Sequence, residues 1–405
     1  MTTTAYTNAH FFDGEHEGFT PDSWFTVDNE TGRVTASGIG KAPAADATVD
    51  FGGQYVMPGM INCHTHMASD PNGYGIRPMG ERSETENSFN AQRNLRDAIK
   101  GGVTYIRDVG STYDIDIKMR DMRSKYDFPA PGIAASGRAM SVTGGHSDTH
   151  EPRSADFRGA YIVDSPDEMR KAARQAFKNG ADQIKVMATG GVMSVGDDPN
   201  EIAFTPEELR EAVREAHYRF KKVAAHAQGN AGIQVALEAG VDSIEHGIYM
   251  DEKQADFMIE HHVYLVPTLN AVEAIVADQT DRLPAHMYRK ARAFSEAFYD
   301  NMRMAVRKHV PIATGTDAGT PFNDFKSGYW SELDLMVNRI GATTQETLFA
   351  ATKNGADLIG ISDDYGTMTP GKFADFIVMT DSPIEDIHAV QQEDKQVYQH
   401  GKRVY

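Results

Sequence analysis

The chain has 405 residues and a net charge of −18, from 58 acidic and 40 basic side chains. Phosphate binding needs a cationic face, so this balance argues against a nucleic-acid partner and favours solubility. The 40% hydrophobic content supports a large core, and the length suits one large barrel domain with a smaller appendage.

The opening residues, MTTTAYTNAHFFDGEHEG, carry no basic stretch followed by an apolar one, so no secretory leader is expected. No apolar run approaches the roughly 18 residues of a membrane span. The single cysteine, Cys63, allows no disulfide within the chain and points to a reducing compartment. A cytoplasmic protein without a membrane partner is the expectation.

The first sixty residues read as β structure. SWFTVDNETGRVTAS has a hairpin turn at Asn29-Glu30-Thr31-Gly32, and ATVDFGGQYVMPGMI adds a strand after a Gly-Gly turn. The last forty read similarly, with KFADFIVMTDSP and KQVYQHGKRVY alternating apolar and polar residues around a turn at His400-Gly401-Lys402. The two ends together predict a small β-sandwich, residues 1–57 with 365–405. Residues 58–364 form a larger domain between them.

That middle alternates strand and helix patterns. Strands are predicted at Gly59–His66, Val103–Val109, Gly132–Ser136, Gln183–Ala188, Lys222–His226, Ser243–Glu245, Val263–Pro267 and Ile312–Gly315. Helical segments such as TPEELREAVREAHYRF and NAGIQVALEAG separate them. Thr205 is the expected N-cap of the first, with Pro206 at its first position and Glu208 three residues after the cap. The fold class is α/β, and eight strands alternating with helices predict a (β/α)8 TIM barrel.

In such a barrel, chemistry sits at the C-terminal ends of the strands. The first strand ends in INCHTHM, where His64 and His66 are two apart and so point to the same side. Neutral imidazole is a common ligand for zinc and related metals. Cys63 faces the other way and reads as packing. The fourth strand carries Lys185 in IKVMATGG, a buried position where an unpaired ammonium is expensive. The fifth ends at His226, the sixth at His246, the eighth at Asp317. Each has a bland reading alone: a chance His-x-His, a core histidine, a turn aspartate. Together they are expected to place four imidazoles, a lysine and an aspartate on one rim, which reads as a metal site. His10, His16, His286, His388 and His400 read as solvent-facing, and His217, His261, His262 and His309 as belonging to helical patterns.

These pieces, VMPGMINCHTHM, IKVMATGG, AHAQG, DSIEHG, ATGTDAG and the late YGTMTPGKFADFIVM, resemble the amidohydrolase superfamily in content and order across nearly the whole chain. Within it the chain looks most like the binuclear, prolidase-like branch of Xaa-Pro dipeptidases, arginine/lysine carboxypeptidases and ochratoxin-type amidases. The resemblance implies the barrel with its terminal β-sandwich. It also implies two divalent metals, zinc foremost, with cobalt or manganese as alternatives. His64, His66 and Asp317 would hold the more buried one, and His226 and His246 the other. Lys185 would be N-carboxylated and bridge both, a carbamate having two oxygens suited to metals roughly 3.5–4 Å apart. A metal-bridging hydroxide would then attack, with Asp317 as the proton acceptor.

The resemblance further implies a substrate-facing histidine after the third strand, His146, and a homo-oligomer. Relatives have a tyrosine contacting the substrate carboxylate where Gln228 stands, so Gln228 and the nearby Tyr249 are the candidate substrate contacts. Arg138 and Arg153 flank the His146 loop, and GVMSVGDDPNEIAF after the fourth strand is a candidate lid. The expected activity is hydrolysis of an amide or peptide bond in a dipeptide or N-acyl amino acid. The rivals are cyclic-amide hydrolysis or deamination on the same fold (imidazolonepropionase-like), or non-catalytic metal binding.

Overall fold

The computed structural model describes residues 2–72, 79–126, 128–148 and 156–405. Arg153, flagged beside the His146 loop, lies outside them. The chain is mixed α/β. Two parallel sheets carry its middle. One holds Met60–Thr65, Val103–Asp108 and Gly132–Ala135; the other runs Tyr161–Ile162, Met140–Ser141, Gln183–Met187, Lys222–Ala227, Ser243–His246, Tyr264–Val266. Their residues are almost all buried, as strands covered on both faces must be. Seven of the predicted strands fall within one residue of these bounds at each end.

Ile312–Gly315 is the exception and forms no continuous strand. Ile312 bridges Leu265 and Ala318 bridges Thr65, both in parallel sense. Between them Cys63 N donates to Thr314 O at 2.8 Å. Side chains replace the next rungs: Thr316 N donates to Asn62 Oδ1 (3.1 Å), and Asn62 Nδ2 to Thr316 Oγ1 (2.9 Å). The backbone groups are paired, but not by a regular ladder. On the other side, Asp182, just ahead of Gln183–Met187, donates its N–H to Ala135 O at 2.7 Å and ties the edge strand Gly132–Ala135 to the second sheet.

Helices follow the strands and pack on one another in chain order: Pro166–Asn179 on Pro206–His217, that on Asn230–Ala239, and that on Glu252–His261. Pro166–Asn179 buries Met169, Ala172, Ala173 and Ala176, one stripe at helical spacing. Ser165 caps its start, and Gly180, left-handed at φ 106°, ends it. Pro206–His217 begins with the full capping box of Thr205 and Glu208. Among the described residues no helix is long and apolar enough to cross a membrane.

The two ends of the chain share one largely antiparallel sheet, ordered Lys402–Arg403, Gln396–Gln399, Phe376–Met379, Tyr55–Pro58, Thr3–Phe11, Thr20–Asp28, Arg33–Ile39, with Ala47–Asp50 also on Thr3–Phe11. The sheet has its own aromatic core, in which Tyr6 stacks on Phe25 (4.9 Å) and Phe376 on Tyr398 (4.3 Å). Three histidines read as solvent-facing are partly covered. His400 stacks on Phe373 at 4.2 Å, His10 stacks on Tyr55 at 4.7 Å, and His286 lies near Met193 O. Aromatic neighbours from other strands and loops cover the first two, which a local pattern does not reveal. His16 and His388 are exposed, as are His217, His261, His262 and His309.

Candidate metal centre

Strand register brings the predicted rim residues together. His64, His246 and Asp317 each offer a ligand atom, and these atoms all lie within 4.8 Å of one another. His66 Nε2 is 3.0 Å from Asp317 Oδ1 and His64 Nε2 is 3.4 Å from it. The imidazoles form a chain: His64 to His66 at 5.4 Å, His64 to His246 at 5.0 Å, His246 to His226 at 4.7 Å, and His226 to His146 at 4.5 Å between ring centroids. His246 belongs with His64 and Asp317 and also lies against His226, so it joins the two ends of this row of side chains.

The outer hydrogen bonds fix which nitrogens face inward. His64 Nδ1 lies 2.7 Å from Glu245 Oε2, and an ionised carboxylate only accepts, so Nδ1 carries the proton. His66 Nδ1 donates to Gly110 O at 2.9 Å. Both Nε2 atoms of the neutral rings therefore present lone pairs toward Asp317 Oδ1, and that buried oxygen has no aligned hydrogen bond from either. Converging lone pairs repel unless a proton or a metal cation lies among them. His226 is turned the other way: its Nε2 donates to Gly190 O at 3.0 Å, leaving Nδ1 as the free donor atom. His246 Nδ1 meets the Thr268 hydroxyl at 2.7 Å.

Lys185 is 1% exposed, and its Nζ has no hydrogen-bond partner. Of seven buried side-chain polar atoms without a partner among the described residues, three belong to predicted site residues: Lys185 Nζ, Asp317 Oδ1 and Gln228 Oε1. Native interiors leave few such atoms, so the clustering marks a place built for something else to bind.

Electrostatics agree. Burial lowers the Lys185 pKa from 10.5 to about 8, against the pull of Glu245 and Asp317. Burial also drives His226 and His246 well below the usual imidazole value, and lowers His64. Burial opposes charge on His66 too, but the adjoining Asp317 outweighs it and the pKa ends raised. Burial works against the Asp317 anion, and a proton on the His64 or His66 Nε2, where a cation would otherwise sit, holds its pKa well below the carboxylate range. Three rim residues take left-handed backbone, uncommon without glycine: His246 (φ 72°), Thr268 (φ 53°) and Asp317 (φ 61°). Such backbone persists where the surroundings over-determine it, and clusters at functional sites.

The candidate substrate contacts sit beside this cluster. The His146 ring is stacked on His226 at 20° and is held through Nδ1 by Ser194 Oγ at 2.5 Å. Gln228 is 5% exposed, and its backbone carbonyl accepts from Tyr249 N at 2.9 Å, which makes the two neighbours. Arg138 is committed elsewhere, donating to Asp114 at 3.2 Å and stacking on Tyr161. Cys63 packs among Ile61, Tyr264, Val266 and Leu358, on the far side of the strand.

Glu245, Arg107, Thr268 and Glu332 support the site and were not singled out from the sequence. Glu245, fully buried, takes His64 on one oxygen, and Arg107 Nη2 (2.7 Å) and Ser243 Oγ on the other. Arg107 also donates to the Cys63 carbonyl. Thr268 holds His246, and Glu332 in turn accepts Leu269 N and Asn270 N at 2.9 and 2.8 Å. Charged residues inside the apolar strands VTYIRD and SIEH were the available signal for Arg107 and Glu245.

A family model described as the amidohydrolase family matches residues 55–404. Ochratoxinase from Aspergillus niger is 32% identical over 358 residues, covering 83% of this chain and 72% of its own. Among solved structures, a Xaa-Pro dipeptidase with methionine bound in its active site superposes with TM-score 0.90 at 30% identity, covering 99% of both chains. A prolidase complexed with N-methylphosphonate-L-proline gives TM-score 0.90 at 26% identity, over 100% of this chain and 99% of its own. The chain belongs to the amidohydrolase family, on the prolidase-like side that these relatives represent, and is a hydrolase of amide or peptide carbon–nitrogen bonds.

Proposed function

We propose that this hydrolase uses two divalent cations, zinc foremost, to cleave the amide bond of a dipeptide or N-acyl amino acid. The observation that carries the reading is the buried, partnerless amino group of Lys185 in one strand system with four imidazoles and Asp317. A scaffold gains nothing from an orphaned ammonium there.

The architecture supporting it is a closed (β/α)8 barrel, residues 58–364, with the terminal segments 1–57 and 365–405 as a second β unit. Support for closure comes from both seams: residues 312–318 bond to Leu265 on one side and to Cys63, His64 and Thr65 on the other, and Asp182 bonds to Ala135. Strand direction then sends every rim residue to the same end.

His64, His66 and Asp317 would hold one cation, and His226 and His246 the other. Lys185 at a pKa of about 8 keeps a neutral fraction near neutral pH. Addition of that amine to carbon dioxide, forming a nitrogen–carbon bond and releasing a proton, would give a carbamate anion, which would serve as a further anionic ligand for the cations. When bound, such cations polarise a carbonyl and bring the pKa of a water near neutrality. Asp317, ionised at neutral pH, accepts the proton of the attacking water and passes it to the leaving amine. His146 faces the substrate carbonyl. Gln228, with its unpartnered Oε1, and Tyr249 line the side where the substrate's non-reacting end lies.

Among the relatives, one is named a Xaa-Pro dipeptidase and holds methionine in its active site, and a prolidase holds N-methylphosphonate-L-proline; those names and ligands support the dipeptide and N-acyl amino acid class here. The test is a panel of dipeptides and N-acyl amino acids offered to metal-reconstituted protein, read by released amino acid. Hydrolysis of several members sharing one C-terminal residue type is the expected outcome. Ring opening of cyclic amides, or release of ammonia from amino-substituted substrates, with no panel member cleaved would contradict it.

A further inference from the structure

Residues 190–201 form a closed loop after the strand Gln183–Met187. Its base is tied by Gly190 N to Glu201 O and by an antiparallel bridge between Thr189 and Ile202. A lysine from a distant helix, Ala285–Arg307, fills the loop. Lys290 Nζ donates to the carbonyls of Gly191 (2.8 Å), Ser194 (2.8 Å) and Asp197 (2.5 Å), and lies 3.3 Å from Asp197 Oδ1. The Lys290 side chain is 12% exposed and that of Asp197 3%. The ammonium has three protons and three carbonyls, so it is saturated by the loop and has nothing left for a substrate.

Asp197 then organises the loop's inner side. Its Oδ2 accepts Gly191 N (3.1 Å) and Ser194 Oγ (2.8 Å). A carboxylate only accepts, so the single hydroxyl proton of Ser194 goes to Asp197. The Ser194 oxygen must then accept from His146 Nδ1 at 2.5 Å. Asp197 Oδ2 also lies 3.5 Å from His146 Nδ1, so both acceptors call for the Nδ1–H form, and the short path runs from His146 Nδ1–H to Ser194 Oγ–H to Asp197. The imidazole is clamped in the other dimension between the His226 ring and the backbone of Gly191, where a Cβ would stand 2.4 Å from His146 Cε1. Rotation about the ring's long axis and in-plane tilt are both removed.

We propose that Ser194, Asp197 and Lys290 are positioning residues for the hydrolytic reaction, locking His146 as the Nδ1–H tautomer with Nε2 free for the substrate. This rests on the amide-hydrolysis reading in one respect only, that His146 faces the substrate. Lys290 secures the loop, Asp197 orders Ser194, and Ser194 orients the ring. The geometry resembles a serine-relayed version of the carboxylate–imidazole pair that sets histidine tautomers at many sites.

The test uses the metal-loaded full chain with Ser194→Ala, Ser194→Thr and Lys290→Met. Nitrogen-15 spectra of histidine-labelled protein, assigned with His146→Ala, should show His146 protonated at Nδ1 in the parent. That protonation should persist in Ser194→Thr and be lost or mixed with the other tautomer in Ser194→Ala. Metal content and Tm should be unchanged in Ser194→Ala, while kcat falls by about 100-fold, the scale of a misplaced reacting group, with KM changed far less. Ser194→Thr should restore kcat. Lys290→Met should raise amide exchange across residues 190–201 and not in the strands. His146 found as the Nε2–H tautomer in the parent would overturn the relay, whether or not a substrate is known. A Ser194→Ala enzyme with parental kcat and a lost Nδ1–H would overturn the positioning role. Failure of every amide substrate, with the tautomer as proposed, would instead count against the amide-hydrolysis reading alone.

Discussion

His64 and Glu245 are joined by a 2.7 Å hydrogen bond inside the protein, and Arg107 holds the other oxygen of Glu245 at 2.7 Å. Arg107 is the leading influence opposing desolvation, so Glu245 stays ionised far below the ordinary glutamate range. The chain Arg107–Glu245–His64 sets the direction in which His64 offers its lone pair. Glu245→Gln keeps the shape and removes the charge. Metal affinity should fall about 10–100-fold, as for other lost partners of a ligating histidine. Arg107, left buried without its anion, should cost about 3–5 kcal/mol of stability. Chelator competition and denaturant unfolding measure the two. An unchanged affinity would mean that Glu245 only fills space.

Lys185 destabilises the metal-free fold. Its pKa falls from 10.5 to about 8 on burial, which corresponds to about 3 kcal/mol held against the folded state while the amine is charged. Between pH 8 and 10.5 the unfolded chain binds the proton and the folded one does not, so stability attributable to this residue rises with pH across that window. Below pH 8 both states are protonated and the penalty is fully present. Lys185→Met, similar in volume, should make the chelator-treated protein more stable at pH 7 by about 3 kcal/mol, and flatten that rise. Denaturant melts of the two proteins at pH 7 and 10 check it; equal stability at pH 7 would show the ammonium to be compensated.

Metal binding should be proton-linked through His66. Its pKa is raised chiefly because Asp317 offsets the burial penalty, so the proton there competes with a cation. Affinity should drop about tenfold per pH unit below the raised His66 pKa, one proton being displaced. His226 and His246, already neutral by burial, add no slope near neutrality. Asp317→Asn removes the anion that supports the His66 proton and should move the onset to lower pH. Titrations of the apo protein with zinc at several pH values give the slopes, and an onset unmoved by Asp317→Asn would break the assignment.

Gly191→Ala should be as harmful as a change to a reacting group. Its Cβ would lie 2.4 Å from His146 Cε1 and 2.6 Å from Nδ1, so the ring has to leave its place against His226. Turnover should fall by about 100-fold with metal content kept, since displacement of a positioned group is the only cost. Kinetics alongside metal analysis would show it, and near-parental turnover would place His146 outside the reaction.

The parts of the site that a sequence can reveal are those governed by local periodicity. His64 and His66 share a face because a strand repeats every two residues, and Lys185 stands out because a buried strand has no use for an ammonium. Chain order alone puts His226, His246 and Asp317 at strand ends. Partners across strands obey no such rule. Glu245 meets His64, and Ser194 meets His146, through register and loop closure, and Lys290 reaches Asp197 from a helix 93 residues away in the chain. The eighth strand was expected to pair regularly, but Asn62 side-chain bonds to Thr316 take over its rungs, a substitution that composition does not announce. His400 was misread for the same reason, its cover coming from Phe373.

In the proposed function it is Lys185 that makes the site binuclear. Elemental analysis of metal per chain, after reconstitution with zinc in bicarbonate buffer, tests it most directly. The expected result is two equivalents in the parent and one or fewer in Lys185→Ala. One equivalent in the parent, or two retained without Lys185, would contradict it.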